Sequence, residues 1–335
     1  MTLQQNVQSG FAGKRVVVVG DALADQFLEG TISRVSREAP VFILRHDETT
    51  TFPGGAANAA ANVAALGAQA ILIAYIGTDP NGQALSTSLE KRNVDTSGLI
   101  SVPEMPTITK LRVLAGHSHA NRQQVIRIDY DGESTIAPEY RAALLAKLSD
   151  AAKTADAIII SDYGYDVVSA SVFDAAKSIA KERRIPLVID SRHRLTEFTG
   201  ATTATPNREE VEQILGADFT ADDCSRLREQ LGLEALLVTN GNKGMMLFQT
   251  DAEPVTIPVV GSTQPVDGTG AGDTVIAAYT VALAAGMSFR EAAVVANHAG
   301  GIVVMKKGTA TVTVAELIDS LSNIETATAS PAYTK

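Results

Sequence analysis

The sequence predicts an α/β fold: a three-layer α/β/α core around a mostly parallel sheet, with a small β-sheet lid. Three observations predict it. Short apolar, β-branched runs end in a polar or acidic residue, as in Arg15 to Gly20 before Asp21. Helix-like segments separate most of these runs, the pattern of strands buried on both faces and joined by βαβ crossovers. Two regions, Glu38 to Asp47 and Pro106 to Tyr130, read instead as antiparallel β with one apolar face.

The core strands follow in order. After Arg15 to Gly20 come Ala70 to Gly77, Ala157 to Ile160, Leu187 to Ile189 and Ala235 to Val238. They end at Thr78-Asp79, Ser161-Asp162, Asp190 and Thr239. Ligands in open α/β sheets bind beyond the carboxyl ends of the strands, so these polar residues mark the candidate site.

Between the first two runs, Pro53-Gly54-Gly55-Ala56-Ala57-Asn58 opens an Ala-rich helical segment that ends at Leu66-Gly67. Glycines before a helix let the backbone approach a ligand closely. Asn58 and Asn62 share a helix face, and amides both donate to and accept from hydroxyls. Tight packing on the sheet explains the alanines but not the two asparagines.

In the lid, Ile126, Ile128 and Tyr130 alternate with Arg127 and Asp129, and Lys110 and Arg112 share a face. Such a one-sided sheet can cover a site, pack on a second copy, or both.

Near the end, Val266-Asp267-Gly268-Thr269-Gly270-Ala271-Gly272-Asp273-Thr274 precedes an apolar helix from Val275 to Ala285, closing near Gly286. Small residues at a helix start let N–H groups converge on an anion, and the helix dipole adds to the attraction. A carboxylate there repels an anion, so Asp273 points to proton abstraction from a hydroxyl. A glycine-rich turn capped by Asp273 is the alternative. One helix-like segment follows Glu316. The chain is expected to form a single domain over 1–325, with lid inserts at about 26–50 and 104–131 and a disordered tail over 326–335.

Composition narrows the function. The 335 residues carry a net charge of -10, which argues against a nucleic acid or an anionic membrane surface as partner. Cys224 is the one cysteine, so no internal disulfide or Cys-based metal site forms, and a reducing compartment fits. The polar stretch Met1 to Gly13 has no signal core, and no apolar run reaches the roughly 20 residues of a membrane span. A cytoplasmic location is expected. His46, His117, His119, His193 and His298 show no metalloenzyme spacing; His117 and His119 fall in a polar loop.

Gly54-Gly55-Ala56-Ala57-Asn58 and Asp267-Gly-Thr-Gly-Ala-Gly-Asp273 together resemble the two signature motifs of the ribokinase-like (PfkB) carbohydrate kinases. The resemblance covers roughly Lys14 to Thr313. It implies a ribokinase-like fold, ATP and Mg²⁺ as cofactors, and transfer of phosphate to a sugar hydroxyl. Further stretches resemble the heptose 7-phosphate kinases of that family, which phosphorylate O1 in lipopolysaccharide precursor synthesis. These are Ser33 to Pro40, Pro106 to Lys110, Arg122-Gln123-Gln124, Arg127-Ile128-Asp129, Ser161-Asp162-Tyr163-Gly164 and Thr205-Pro206-Asn207. Those kinases carry lysines where this chain has Tyr165 and Ser191-Arg192, and a shorter loop at Gly116 to Ala120.

The resemblance implies roles by residue. Asp273 is the general base, and the N–H groups of Gly270, Ala271, Gly272 and Asp273 form an anion hole. Asp21, Asp25, Gly54, Gly55 and Asn58 hold sugar hydroxyls, and Gln124 is a further substrate-binding candidate. With the family's lysines absent, the basic candidates left for a substrate phosphate are Arg192, Lys110, Arg112 and Arg122. Asn207 and Glu210 place phosphates and Mg²⁺, Glu210 through water. Thr239, Gly241, Lys243 and Gly244 lie along the nucleotide, and Asn297, Gly300, Gly301 and Val304 beside adenine. Asp267, Thr269, Gly308 and Thr311 resemble a site for a monovalent cation such as K⁺. Homodimerisation through the lid is expected.

Kinase action on another sugar or a nucleoside is the alternative of the same chemistry. A catalytically silent binding subunit is opposed by the intact Asp273 and glycine loops. A Rossmann dehydrogenase is opposed by Gly20-Asp21-Ala22, which has no Gly-x-Gly-x-x-Gly after it.

Overall fold

The computed structural model describes residues 2–116, 122–131, 136–262 and 264–328. A short helix α1 (Leu3–Gly10) leads to β1 (Arg15–Gly20). Val16 and Val18 face one apolar layer, Val17 and Val19 the other, and all are fully buried. Burial on both faces explains the unbroken apolar run, at about 1.5–3 kcal/mol for each fully buried valine.

The chain then leaves the core as a long hairpin, β2 (Ala22–Val35) and β3 (Phe42–Gly55). Helix α2 (Ala56–Ala65), β4 (Gln69–Gly77), α3 (Pro80–Glu90) and β5 (Leu99–Val102) complete one wing of the core. β6 (Thr109–Gly116) and β7 (Gln123–Tyr130) join the hairpin in a four-stranded sheet, β3-β2-β6-β7. The other wing runs α4 (Pro138–Ala152), β8 (Ala157–Asp162), α5 (Ala170–Arg183), β9 (Leu187–Ser191), β10 (Thr203–Ala204), α6 (Arg208–Leu215), α7 (Ala221–Gln230), β11 (Ala235–Thr239), β12 (Met245–Gln249) and β13 (Val255–Ile257). Helices α8 (Ala271–Ala284), α9 (Phe289–Val303) and α10 (Val314–Thr328) follow.

The main sheet has the order β13-β12-β11-β10-β9-β8-β1-β4-β5 and is parallel except at β12 and β13. The expected architecture is observed: a mostly parallel sheet between helical layers, with a small antiparallel-edged second sheet. β1 lies between β4 and β8, the first strands of the two wings, so strand order reverses there. A crevice opens at such a switch point, beyond the strand ends. Gly20 lies so close to β8 that a Cβ would stand 1.9 Å from the Ser161 carbonyl.

Two expectations change. The segment Glu38 to Asp47 is not one strand: residues 36–41 form the hairpin turn, and the paired strands extend from Ala22 to Gly55, beyond 26–50. Gly55 both ends β3 and caps the start of α2, so the glycines open the helix as expected. The last helix runs to Thr328, into the stretch expected as a tail; residues 329–335 lie outside the described residues. So do His117 and His119. Among the described residues no helix is long and apolar enough to cross a membrane. Cys224 is buried, which pushes its thiol up to about 11.

Candidate active site

Asp273 lies in the first turn of α8, 3% exposed. Gly270 starts that helix at φ +77, a left-handed conformation that favours glycine. A Cβ on Gly270 would also meet the Asn58 amide nitrogen at 2.5 Å. A helix leaves its first N–H groups without intrahelical acceptors. Thr274 is the first to bond back, to the Gly270 carbonyl at 3.1 Å, and Ala271 leans on Gly268 at 3.3 Å. The N–H groups of Gly272 and Asp273 are left at the positive end of the helix.

Two side chains hold the Asp273 carboxylate. Asn58 Nδ2 donates to Oδ2 at 2.8 Å, and the Tyr163 hydroxyl donates to Oδ1 at 2.7 Å. The small residues of α2 let it lie against α8. Asn62 orients Asn58 by donating to its Oδ1 at 3.2 Å and accepts from Thr274 Oγ1 at 3.2 Å. Burial pushes Asp273 up to about 6, against these two donated bonds.

The carboxylate faces a cavity of about 610 Å³ beyond the ends of β1, β8 and β9. Asp25, Gly55, Lys110, Arg112, Arg127, Arg192, Asn207, Glu210 and Thr239 line it, with the loop Asp267 to Asp273. A second, mostly apolar cavity of about 270 Å³ adjoins it. Gly241, Gly244, Val260, Val275, Asn297, Gly300, Gly301 and Val304 line the second. Thr239, Gly268, Ala271 and Gly272 line both, so the cavities meet at the start of α8.

Most expected residues converge there, with corrections. Asp21 does not face the cavity. It is fully buried, and its carboxylate accepts the backbone N–H groups of Tyr163, Tyr165 and Val167 at 2.7, 3.2 and 3.2 Å. It anchors the loop after β8 instead. Asp25 does line the cavity but is paired with Arg112 at 2.5 Å. Gly54 backs Asp25: a Cβ there would stand 2.5 Å from the carboxylate. Gln124 is exposed on β7 and lines, with Phe27 and Arg122, a neighbouring cavity that shares Arg112, Asp267 and Thr269 with the main one. Arg122 is neutralised by Glu29 and Asp47. Lys243 is exposed and borders neither main cavity.

Lys110 and Arg192 are different. Their charged ends stand 5.8 and 5.4 Å from the Tyr163 ring centroid, and no carboxylate pairs with either among the described residues. Burial, then the neighbouring Arg192 charge, lowers the Lys110 ammonium.

Asn207 and Glu210 form a reciprocal cap on α6, with Glu210 N–H on Asn207 Oδ1 at 2.9 Å and Asn207 N–H on Glu210 Oε2 at 2.8 Å. Both still line the cavity. Asp190 lines it too, and among the described residues no donor meets its carboxylate. Burial, then the Glu210 charge, holds Asp190 well above the usual carboxylate range, and burial also raises Glu210. Two crowded carboxylates beside an amide form a hard oxygen donor set suited to Mg²⁺, which takes few protein ligands and keeps its waters. Among the described residues no three His, Cys, Asp or Glu side chains converge on a metal position.

Asp267 and Thr269 turn toward Gly308: Asp267 accepts the Thr269 and Gly308 N–H groups at 2.9 Å each. Thr311 differs from expectation, because its carbonyl already accepts the Lys306 ammonium at 2.7 Å. Sequence reasoning gave no site role to Tyr163 or Arg127, and marked Asp190 only as a polar residue at a strand end; all three line the cavity. The Asp-Tyr-Gly stretch and the strand-ending Asp190 were the available signals.

The chain is similar to known proteins throughout. The profile described as pfkB family carbohydrate kinase matches residues 14–316. The Bifunctional protein HldE of Nitrosococcus oceani is 40% identical over 318 residues, 93% of this chain and 64% of that protein. HldE of Chromohalobacter salexigens is 41% identical over 311 residues, 92% of this chain and 63% of that protein. The chain thus spans less than two thirds of the length of these relatives. In fold it resembles Arabidopsis thaliana ribokinase complexed with ribose and ATP, with a TM-score of 0.69, 23% identity and coverage of 92% and 99% of the two chains. A phosphofructokinase-2 mutant from Escherichia coli gives a TM-score of 0.74 at 17% identity, covering 93% and 99%. A family profile spanning nearly the whole chain, on this fold and with these motifs at one crevice, leads to one conclusion: the chain belongs to the pfkB family of carbohydrate kinases.

Proposed function

We propose that the chain transfers the γ-phosphate of ATP to O1 of D-glycero-D-manno-heptose 7-phosphate, a step toward ADP-heptose and lipopolysaccharide precursors. The observation that carries this reading is the meeting of two cavities at the start of α8. The apolar one suits a nucleotide base, and the polar one, with its unpaired cations, suits a phosphorylated sugar.

The sugar hydroxyl gives its proton to Asp273 as its oxygen bonds to the γ-phosphorus. The bond from that phosphorus to the bridging oxygen breaks, and ADP leaves with the electron pair. The N–H groups at Gly272 and Asp273 stabilise the charge on the transferring group. Asp25 and Gly55 border the sugar. Asn58, fully buried and bonded to Asp273 and Asn62, acts through the base rather than on the sugar hydroxyl expected of it. Lys110 and Arg192 meet the far phosphate. Arginine grips phosphate with a bidentate fork, so Arg192 can serve where related kinases use lysine. Asp190, Asn207 and Glu210 would hold Mg²⁺, which supplies charge neutralisation on the nucleotide phosphates. Asp267 and Thr269 would face K⁺, while at Thr311 the Lys306 ammonium already supplies the positive charge.

We further propose a cytoplasmic homodimer formed through the lid. Val125, Ile126, Ile128 and Tyr130 on β7 are 39–53% exposed, an apolar area that a second copy would cover. The test of the substrate compares a sugar phosphate with its dephosphorylated form, in wild type and Arg192→Ala. A preference for the phosphate that Arg192→Ala removes supports the heptose phosphate. Preference for the neutral sugar, unchanged in Arg192→Ala, makes the chain a neutral-sugar kinase of the same fold.

A further inference from the structure

Tyr163 joins the two working parts of the cavity. Its hydroxyl donates to Asp273 Oδ1 at 2.7 Å, and its ring stands beside the charged ends of Lys110 and Arg192. The backbone holds it in place. Tyr163 N–H bonds Asp21 at 2.7 Å, and the same carboxylate fixes Tyr165 and Val167. Gly55 makes room, since a Cβ there would stand 3.3 Å from the ring.

We propose that Tyr163 is a positioning residue of the transfer: its hydroxyl aligns the Asp273 carboxylate with the sugar hydroxyl, and its ring seats Lys110 and Arg192 for the substrate phosphate. This rests on the phosphoryl-transfer reading above. The phenol is a donor throughout. Burial, then the Asp273 charge, raises it well above its ordinary range, so it neither titrates in the working range nor takes the substrate proton. With Asn58 on Oδ2 and Tyr163 on Oδ1, the carboxylate can turn only by breaking a bond. Anion recognition and base alignment therefore share one side chain. The other charged groups that act on Asp273 are Asp25, Asp190 and Arg192, and Tyr163→Phe leaves all of them in place.

The test uses the full chain with ATP and D-glycero-D-manno-heptose 7-phosphate. Tyr163→Phe keeps the ring and removes the donor. kcat should fall on the order of 10- to 100-fold, the loss of one hydrogen bond to a charged group. KM for the sugar phosphate should stay within about three-fold, because the ring that seats the cations remains. The acid limb of the kcat profile should move to higher pH, because a bond that favours the ionised base is gone. Replacing Tyr163 by 3-fluorotyrosine, a near-isosteric and stronger donor, should move that limb the other way. Tyr163→Leu should in addition raise KM for the sugar phosphate but not for ATP. A Tyr163→Phe enzyme with kcat within two-fold of wild type and an unmoved acid limb overturns the proposal. So does a fall in kcat with no shift of the limb in either variant, which is a packing effect. Asp273→Asn, assayed beside them, separates the two failures: full turnover in that variant defeats the transfer reading itself.

Discussion

Asn58 donates its amide to the Asp273 carboxylate at 2.8 Å across 215 residues of sequence. The contact joins the two glycine motifs into one site. It exists because α2 is built of small residues and because Gly270 leaves room for the amide. Asn58→Ala should lower stability by about 1–3 kcal/mol, the cost of leaving a buried partner unmet. It should also cut kcat on the order of 10-fold or more. Denaturant unfolding and steady-state kinetics on the same preparation check both.

Burial holds Asp273 at about 6, so the base is lost below that pH. The rate should be flat near neutrality and fall about ten-fold per pH unit on the acid side of a limb near 6. Stability runs the other way. The folded-state value lies above the ordinary 3.8, so this group's contribution is fully present below 3.8 and is lost as pH rises through about 6. Asp273→Asn should therefore raise the thermal midpoint at pH 7, and the gain should shrink toward pH 4. Calorimetry across that range checks the sign.

Gly270 and Gly268 lie two positions apart and should respond differently. Gly270 has φ +77 and the Asn58 amide 2.5 Å from its Cβ position, whereas a Cβ on Gly268 meets nothing within 4 Å. Gly270→Ala should cost at least about 1–2 kcal/mol and depress kcat, because it pushes on the residue that holds the base. Gly268→Ala should stay within about 0.5 kcal/mol of wild type. Parallel unfolding curves of the two variants check the difference.

The outer lid surface gives a prediction about assembly. Ile126 and Ile128 face away from the cavity side marked by Arg127, and both are exposed. Light scattering at micromolar concentration should give a dimer mass. The double substitution Ile126→Asp with Ile128→Asp should give the monomer mass. A monomeric wild type rejects the interface.

The core strands were legible because parallel strands buried on both faces leave an unbroken apolar run, as in Val16 to Val19. The long hairpin was harder. β2 and β3 are half-exposed for most of their length, so Ala22 to Val35 carries no continuous apolar signal, and the turn at Glu38 to Pro40 read as strand. At the site, motif spacing brought out Asp273, Asn58, Asn207 and Glu210. It could not tell which way a side chain turns. Asp21 and Asp25 look alike in sequence, yet one faces backbone N–H groups and the other the cavity. Lys243 and Gln124 fall on the right elements but line neither the polar cavity at Asp273 nor the apolar one beside it. Tyr163 became visible as a site residue only once β8 and α8 were packed together.

The most direct measurement is the rate of phosphate transfer from ATP to D-glycero-D-manno-heptose 7-phosphate, with the product identified by phosphorus NMR, in wild type and Asp273→Asn. Wild type should add one phosphate at O1. The variant should be slower by at least the ~10²–10⁴-fold of a lost general base, with its affinity for ATP nearly unchanged. Turnover by Asp273→Asn within a few-fold of wild type would contradict the account.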